Sequence, residues 1–236
     1  AARVAGHIPA TVRFQVSLPT PLAVVMPFCQ QPDAQQIYPP YERAMLREVE
    51  RICKAIPHHD LAIQWDVCVE MLAWDGRWEN ARSFPGMEQV FAANFARLGA
   101  AVPPDVELGF HLCYGDLDGK HFIEPVDASK MVEMANLIAR SATRSVTWMH
   151  MPVPIDRTDD AFFAPLKNLQ LGPGTELYLG LVHAKDGVEG TKRRIATAKT
   201  YVQNFAIASE CGISRGRNAN VALEFIKTCA GAAATL

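Results

Sequence analysis

Two residues with metal-binding side chains lie two positions apart in the segment "GFHLCYGD", residues 109–116. His111 and Cys113 point to the same side of an extended strand, because side chains alternate between its two faces. Imidazole nitrogen and thiolate sulfur are both zinc ligands. Cys211 directly follows another predicted strand and would lie across the same mouth if the strands form a closed barrel. Three such ligands leave the fourth position of a catalytic zinc open for a substrate.

Other polar residues stand at the carboxyl ends of predicted strands. Asp66 ends "AIQWD", His150 lies in "SVTWMHM", His183 ends "TELYLGLVH", and Glu210 ends "FAIASE". Carboxylates and imidazoles in such places suit an acid, a base or a group that binds charge, and we predict these four residues as catalytic. Structural roles stay open as well: a hydrogen bond or helix cap for Asp66, and a satisfied buried imidazole for His150 and His183.

A further set of aromatic and acidic residues near the strand ends is predicted to bind the substrate. These residues are Trp65, Glu70, Tyr114, Asp116, Trp148 and Asp186. Phe110 is predicted to line the same pocket.

Apolar runs that alternate with helix-like stretches position these residues. The strand-like runs are 12–18, 61–67, 106–112, 145–151, 175–183 and 205–210. The predicted helices cover about 38–55, 87–98 and 128–141, a long stretch to about 201, and the segment 220–229. Asp127 is predicted to cap the third of them. A polar loop is predicted from about Leu72 to Pro85. Such alternation is typical of α/β proteins with parallel strands, either an open doubly wound sheet or a (β/α)8 TIM-type barrel. The barrel is favoured because it gathers every strand end at one mouth.

Composition excludes several classes of partner. The 236 residues carry a net charge of -2 without a dense basic face, which argues against nucleic acid and anionic membranes. The apolar runs are too short to span a bilayer and the first residues lack a secretory signal, so we expect a cytoplasmic protein. No glycine-rich phosphate-binding motif occurs, so no nucleotide cofactor is expected. The six widely spaced cysteines predict reduced thiols rather than disulfides.

The chain resembles the C-terminal catalytic barrel of cobalamin-independent methionine synthase, in the superfamily that also contains uroporphyrinogen decarboxylase. "HLCYGD" is similar to that family's "HMCYS"-like zinc motif, "ASECGISR" to its "PDCGLK"-like motif and "AIQWDVCVE" to its "IDEP"-like motif. "YLGLVHAKDGVEG" is similar to its "GVVDVHS"-like strand. The resemblance implies that His111, Cys113 and Cys211 bind zinc, which activates a thiol for methyl transfer. It also implies that Asp66 binds the substrate.

Two departures from that family's pattern concern the same site. The strand that supplies the family's glutamate ligand reads "VTWMHMPVP", with His150 at or near the ligand position, so either His150 replaces the glutamate or no metal is bound. "IDEP" has become "WDVC", in which Val67 replaces the second acid, so homocysteine recognition does not follow from the resemblance.

The resemblance also sets the expected extent of the domain. "VSLPTP" is similar to the family's early "LPGP" turn, which places it at the third strand of the barrel. Residues 1–236 are therefore expected to form one barrel domain of about strands three to eight, without the first two strand–helix units. Truncation, processing, or a second chain or homo-oligomer that supplies the missing strands would explain this, since an exposed parallel edge invites pairing.

Three functions follow from these features. The first is zinc-activated transfer of an alkyl group, such as methyl, to a thiol or another small nucleophile. The second is a metal-independent lyase, decarboxylase or hydrolase that acts on a small organic acid or aromatic metabolite through strand-end His and Asp residues. The third is a non-catalytic binding or assembly partner.

Overall fold

A parallel β-sheet of six strands forms the centre of the chain, in the spatial order β1 to β6. The computed structural model describes residues 3–30, 32–81, 83–117, 120–213 and 218–234. The strands are β1 (Phe14–Pro19), β2 (Leu61–Val67), β3 (Glu107–Leu112), β4 (Trp148–Pro152), β5 (Glu176–Val182) and β6 (Ala206–Ser209). The predicted α/β class is confirmed, and the sheet is consistent with a partial TIM-like fold. The described pairings run from β1 to β6 and do not establish a closed barrel.

Helices connect the successive strands. They are α1 (Pro21–Phe28), α2 (Asp33–Ala55), α3 (Val69–Asp75), α4 (Met87–Ala100), α5 (Ser129–Ser141), α6 (Asp160–Phe163), α7 (Gly187–Tyr201) and α8 (Ala219–Ala233). In the described ranges, no helix is both long enough and apolar enough to cross a membrane.

Two short helices differ from the sequence predictions. The prediction of a loop from about Leu72 to Pro85 is wrong in its first part. Residues up to Asp75 belong to the helix α3, which buries several apolar side chains. A helix this short shows too little of the 3.6-residue period to be recognised. The turn predicted after β1 leads at once into α1, whose N-cap Thr20 accepts a hydrogen bond from the Ala23 amide at 3.0 Å. Threonine followed by proline at the first helical position is a helix-start signal.

The two faces of the sheet have opposite character. On β2, Leu61, Ile63 and Trp65 are completely buried in the hydrophobic core. The intervening residues Gln64 and Asp66 face the inner side, where the sheet lines a cavity of about 560 Å³. TIM-type barrels usually fill their interior with branched apolar side chains. Here polar side chains such as Gln64 and Asp66 share this face with Ala62 and Ile207.

Gly109 makes room for an indole on this inner face. It pairs with Trp148 across β3 and β4, and a Cβ atom at Gly109 would lie 1.8 Å from Trp148 Cε2. The Trp148 Nε1–H group donates a hydrogen bond to Gln64 Oε1 at 3.2 Å. The absent side chain at position 109 thus allows Trp148 to reach across β3 to β2.

We predict that Gly109→Ala displaces the Trp148 indole and lowers the free energy of unfolding by about 1–3 kcal/mol, the usual cost of overpacking. Urea denaturation and tryptophan fluorescence measure both effects. Gly172→Ala is the matched control, because its Cβ would meet Thr175 Oγ1 at an ordinary 3.5 Å. Equal stability of the two variants would contradict this packing.

A buried guanidinium group fixes the end of β5. The Arg194 side chain is fully buried and donates to the Leu181 carbonyl at 2.8 Å and the Ile155 carbonyl at 2.6 Å. It also binds both carboxylate oxygens of Asp186, at 2.7 and 2.9 Å. Asp186, predicted to bind substrate, therefore has a structural partner that joins β5 to α7.

Replacement of Arg194 by Met is predicted to lower the free energy of unfolding by about 3–5 kcal/mol, since it leaves Asp186 and two carbonyls without their donor. The matched control is Arg193→Met. The Arg193 side chain is 62% exposed and lies 3.8 Å from Asp186, so its loss costs less than about 0.5 kcal/mol. Chemical denaturation distinguishes the two, and similar losses would refute the assigned role of Arg194.

Candidate metal centre

His111, Cys113 and Cys211 form a compact group at the carboxyl end of the sheet. One ligand atom from each residue lies within 4.8 Å of the other two. The Cys113 and Cys211 sulfur atoms are 4.0 Å apart. Two sulfurs on one tetrahedral zinc, each about 2.3 Å from the metal, would be about 3.8 Å apart. The spacing of the two thiols therefore suits a shared metal ion.

Curvature of the sheet brings these residues together. The strands β4 and β5 lie between β3 and β6, so a flat sheet would hold β3 and β6 about 14 Å apart. Cys113 follows β3 and Cys211 follows β6, yet their sulfurs are in contact. The sheet and its connecting segments must therefore curve inwards, as in a TIM-type barrel.

The His111 ring has the character of a metal ligand. Its side chain is buried, and neither ring nitrogen has a hydrogen-bond partner within the described ranges. A buried polar group without a partner costs about 1–3 kcal/mol, which a metal bond would offset. Burial, and then the nearby His150, lower the pKa of His111 well below its usual value. The ring is therefore neutral and keeps a lone pair for a metal.

The two thiols depend on each other and on their burial. The interaction with Cys211 lowers the pKa of Cys113, but the influence of Cys68 and burial outweigh it, so this pKa is raised well above its usual value. The hydrogen bond with Cys113 and burial also raise the pKa of Cys211. The Gly115 amide donates to the Cys113 sulfur at 3.3 Å. A bound cation would favour the thiolate forms, since metal binding deprotonates thiols.

His150 stacks on His111 and remains outside the metal-binding group. The two rings are 4.6 Å apart between centroids and inclined by 21°. An imidazole nitrogen binds a metal in the plane of its ring, and nearly parallel stacked rings do not direct their lone pairs to one point. Burial lowers the pKa of His150 to about 4. In this arrangement His150 packs against the ring of His111. It does not take the place of the glutamate ligand, as the sequence comparison had allowed.

A chain of hydrogen bonds crosses the cavity wall and holds Asp66. Trp148 Nε1–H donates to Gln64 Oε1, and Gln64 Nε2–H donates to Asp66 Oδ1 at 2.9 Å. Asp66, His111, Trp148 and Cys211 all line the same cavity. The wall therefore presents a fixed carboxylate to the space beside the metal-binding group.

Glu210 lies between two histidines next to Cys211. Its carboxylate oxygens are 3.3 Å from His121 Nε2 and 3.7 Å from His183 Nδ1. Burial raises the pKa of Glu210 to about 7. His183 Nε2–H, a tautomer assigned from this contact, donates to the Val153 carbonyl at 2.8 Å, and burial followed by the charge of Arg194 lowers the pKa of His183 to about 4.

His121 is the residue of this cluster that the sequence reading missed. It lies in the acidic loop after β3, and its Nδ1 is 2.9 Å from Glu124 Oε2. Burial opposes protonation, but the carboxylates of Glu124 and Glu210 raise the pKa of His121. The one available signal was a histidine within an acidic segment that follows the candidate ligands.

Several residues predicted to bind substrate lie away from the cavity. Trp65 and Phe110 are completely buried on the opposite face of the sheet, in the core beneath the helices. Tyr114 is also fully buried, and its hydroxyl donates to Asp75 Oδ2 at 3.3 Å. Glu70 is 1% exposed and accepts a hydrogen bond from the Thr20 hydroxyl, and burial raises its pKa to about 7.

Asp116 stays near the metal-binding group. It is buried, and its charge contributes to raising the pKa of both Glu210 and Cys211. The structure thus brings together the three candidate ligands, all four predicted catalytic residues, Trp148 and Asp116.

Comparison with known proteins gives structural relatives only. No family model and no curated protein matches the chain. A B12-independent methionine synthase from Shewanella sp. W3-18-1, solved in complex with selenomethionine, is similar over 94% of this chain, with a TM-score of 0.65 and 13% sequence identity. The vitamin-B12-independent methionine synthase of Listeria monocytogenes, described as putative, is similar over 92%, with a TM-score of 0.54 and 12% identity.

The chain spans 62% and 61% of the lengths of these two relatives. At such low sequence identity, the structural similarity shows the fold alone. The predicted resemblance is confirmed to this extent, since both structural neighbours are described as B12-independent methionine synthases. The chain therefore has a methionine-synthase-like fold that carries a His, Cys and Cys group able to hold a metal.

Proposed function

We propose that this chain holds a zinc ion through His111, Cys113 and Cys211 and transfers an alkyl group, such as methyl, to a thiol. The observation that carries the proposal is the compact ligand group, in which the His111 nitrogens lack any partner in the described part of the chain. The methionine-synthase-like fold supports it as an analogy. Free cysteines suit the reducing cytoplasm that we propose as its location.

Zinc bound here would favour the thiolate form of a substrate thiol near neutral pH, which makes the sulfur a nucleophile. The donor set suits zinc, because one neutral imidazole and two cysteines leave one tetrahedral position for that sulfur. Magnesium and calcium are disfavoured, since both prefer oxygen ligands.

The residues of the cavity bind and orient the substrate. Asp66 is held by Gln64 and faces the same cavity as His111 and Cys211. A fixed carboxylate is suited to the ammonium group of an amino-acid thiol. Trp148 supplies an apolar surface that excludes water from one side. The thiol of a small amino acid can thus reach the metal-binding group while its amino group contacts Asp66.

The transfer itself is a displacement at carbon. The thiol loses its proton, and its sulfur attacks the alkyl carbon of the donor. A sulfur–carbon bond forms as the bond from that carbon to the donor breaks. The electron pair leaves with the donor, which takes up a proton. The products are a thioether and the dealkylated donor.

A metal-independent lyase, decarboxylase or hydrolase is the alternative enzyme. It requires groups that exchange protons near neutral pH. Burial lowers the pKa of His150 and His183 to about 4, which disfavours both rings as acids, whereas burial raises the pKa of Glu210 to about 7 and suits it to that role. Activity that survives chelation of metal would favour this alternative, and absence of any turnover would favour a binding or assembly role.

The purified chain is predicted to bind about one zinc ion, measured by elemental analysis after reconstitution under reducing conditions. Cys113→Ser and Cys211→Ser each remove a ligand and should weaken zinc binding at least about tenfold in chelator competition. Cys29→Ser is the control, because Cys29 lies at the end of α1, outside the group. Equal zinc affinity in all four proteins would contradict the site.

Asp66→Asn is predicted to raise KM for homocysteine about tenfold in the zinc-loaded protein, the loss of one charge-assisted hydrogen bond. The KM for 2-mercaptoethanol should stay unchanged, because that thiol has no ammonium group. Thioether formation with a panel of methyl donors, including 5-methyltetrahydrofolate, is measured by mass spectrometry. An equal change in KM for both thiols would refute the role of Asp66. Chelation of the metal is expected to abolish thioether formation by the wild-type protein.

A further inference from the structure

The cavity-facing residues of β1 form a polar group beside Asp66. The polar residues that β1 and β2 contribute to the cavity wall are Gln15, Ser17, Gln64 and Asp66. Ser17 pairs with Gln64 across β1 and β2, and Asp66 pairs with His111 across β2 and β3. The wall therefore carries Ser17 on β1, Asp66 on β2 and the first metal-binding residue on β3.

The hydroxyl group of Ser17 keeps a hydrogen to donate. Its oxygen accepts hydrogen bonds from Gln15 Nε2–H at 3.0 Å and from Gln64 Nε2–H at 3.3 Å. A serine hydroxyl has two acceptor lone pairs and one O–H donor, so these two bonds use both lone pairs. No group in the described ranges accepts the remaining O–H of Ser17. The hydroxyl is therefore available to donate into the cavity.

The two amide groups beside Ser17 differ in what they still offer. Gln64 Nε2 uses both of its hydrogens, because it donates to Ser17 and to Asp66 Oδ1. Its Oε1 accepts from Trp148, which fixes the orientation of the amide. Gln15 is exposed and donates only to Ser17 within the described part of the chain, which leaves its second Nε2–H free. Ser17 and Gln15 thus present one O–H and one N–H donor, from atoms 3.0 Å apart.

Two adjacent donors suit a carboxylate, whose two oxygens only accept hydrogen bonds. Arg13 also lines the cavity, but its side chain pairs with Glu107 at 3.0 Å, and it lies about 13 Å from Ser17 along the strand. Ser17 and Asp66, in contrast, both lie within hydrogen-bond distance of one nitrogen, Gln64 Nε2. A site for a carboxylate and a site for an ammonium group are therefore neighbours on this wall.

We propose that Ser17 and Gln15 bind the carboxylate of an α-amino-acid thiol whose ammonium group contacts Asp66. The proposal rests on the function proposed above and specifies its substrate class. The sites follow one another across the sheet from Ser17 through Asp66 to the metal-binding group. This order matches that of carboxylate, amino group and sulfur along such a substrate. A thiol without the carboxylate leaves the two donors of β1 unused, so the cavity selects amino acids over simple aminothiols.

Homocysteine and 3-aminopropane-1-thiol form the test pair, because the second is homocysteine without its carboxylate. Isothermal titration calorimetry of the zinc-loaded wild type should give a Kd at least about tenfold lower for homocysteine, the effect of a hydrogen bond to a charged group. Ser17→Ala should raise the Kd of homocysteine about tenfold and leave that of the aminothiol unchanged. Ser17→Thr keeps the hydroxyl and should keep the preference. Ser145→Ala is the control, because Ser145 is exposed and precedes β4.

Gln15→Glu should change the two affinities in opposite directions. The Gln15 side chain is exposed, so the substitution is expected to leave the fold intact. A carboxylate at this position repels the carboxylate of homocysteine and attracts the ammonium group of 3-aminopropane-1-thiol. The Kd of homocysteine should rise, and that of the aminothiol should fall. In the metal-free chain, methionine should likewise bind more tightly than 3-(methylthio)propan-1-amine, since neither ligand needs a metal.

Equal affinity of the wild type for homocysteine and the aminothiol, or a preference that survives both Ser17→Ala and Gln15→Glu, would overturn the carboxylate site. An equal rise of both Kd values in Ser17→Ala would also overturn it, since Ser17 would then act only by holding Gln64 and Asp66. Zinc binding and alkyl transfer by the wild type would still stand in these cases. A preference for homocysteine that Ser17→Ala abolishes, in a protein that forms no thioether, would support the carboxylate site and refute the transfer.

Discussion

The contact between the Cys113 and Cys211 sulfurs, 98 residues apart in the sequence, is the constraint on which the candidate site depends. It exists only because β3 and β6 belong to one parallel sheet whose strand ends curve towards each other. Parallel order places the carboxyl ends of all strands on one side, and curvature converts that shared edge into a mouth. The helices cover the outer face and hold this curvature through the apolar core.

The polar side chains on the inner face of the sheet lower the stability of the fold. Polar side chains replace the branched apolar ones that commonly fill such a space, and His111 is buried with both ring nitrogens unpartnered in the described ranges. A protein that only needed stability would gain by placing an apolar residue there. The proposed cation and a polar substrate would satisfy these side chains. On the proposed function, binding then offsets the loss of stability.

Local sequence patterns were sufficient to predict the six strands along the chain. They also predicted that His111 and Cys113 lie on the same side of one strand. The same alternation excludes Trp65 and Phe110 from the cavity, since each adjoins a residue that faces it. The contact of His121 with Glu210 arises from tertiary structure. No period or motif within one element could reveal it. The short helix α3 escaped prediction because packing, rather than periodicity, stabilises it.

X-ray absorption spectroscopy of the zinc-loaded chain tests the central claim most directly, because it reads the atoms bound to the metal. The account predicts sulfur ligands at about 2.3 Å together with an imidazole nitrogen at about 2.0 Å. His111→Ala should remove the imidazole signal and leave the sulfur signal in place. A first shell of nitrogen and oxygen atoms without sulfur would contradict the assignment of Cys113 and Cys211 as ligands.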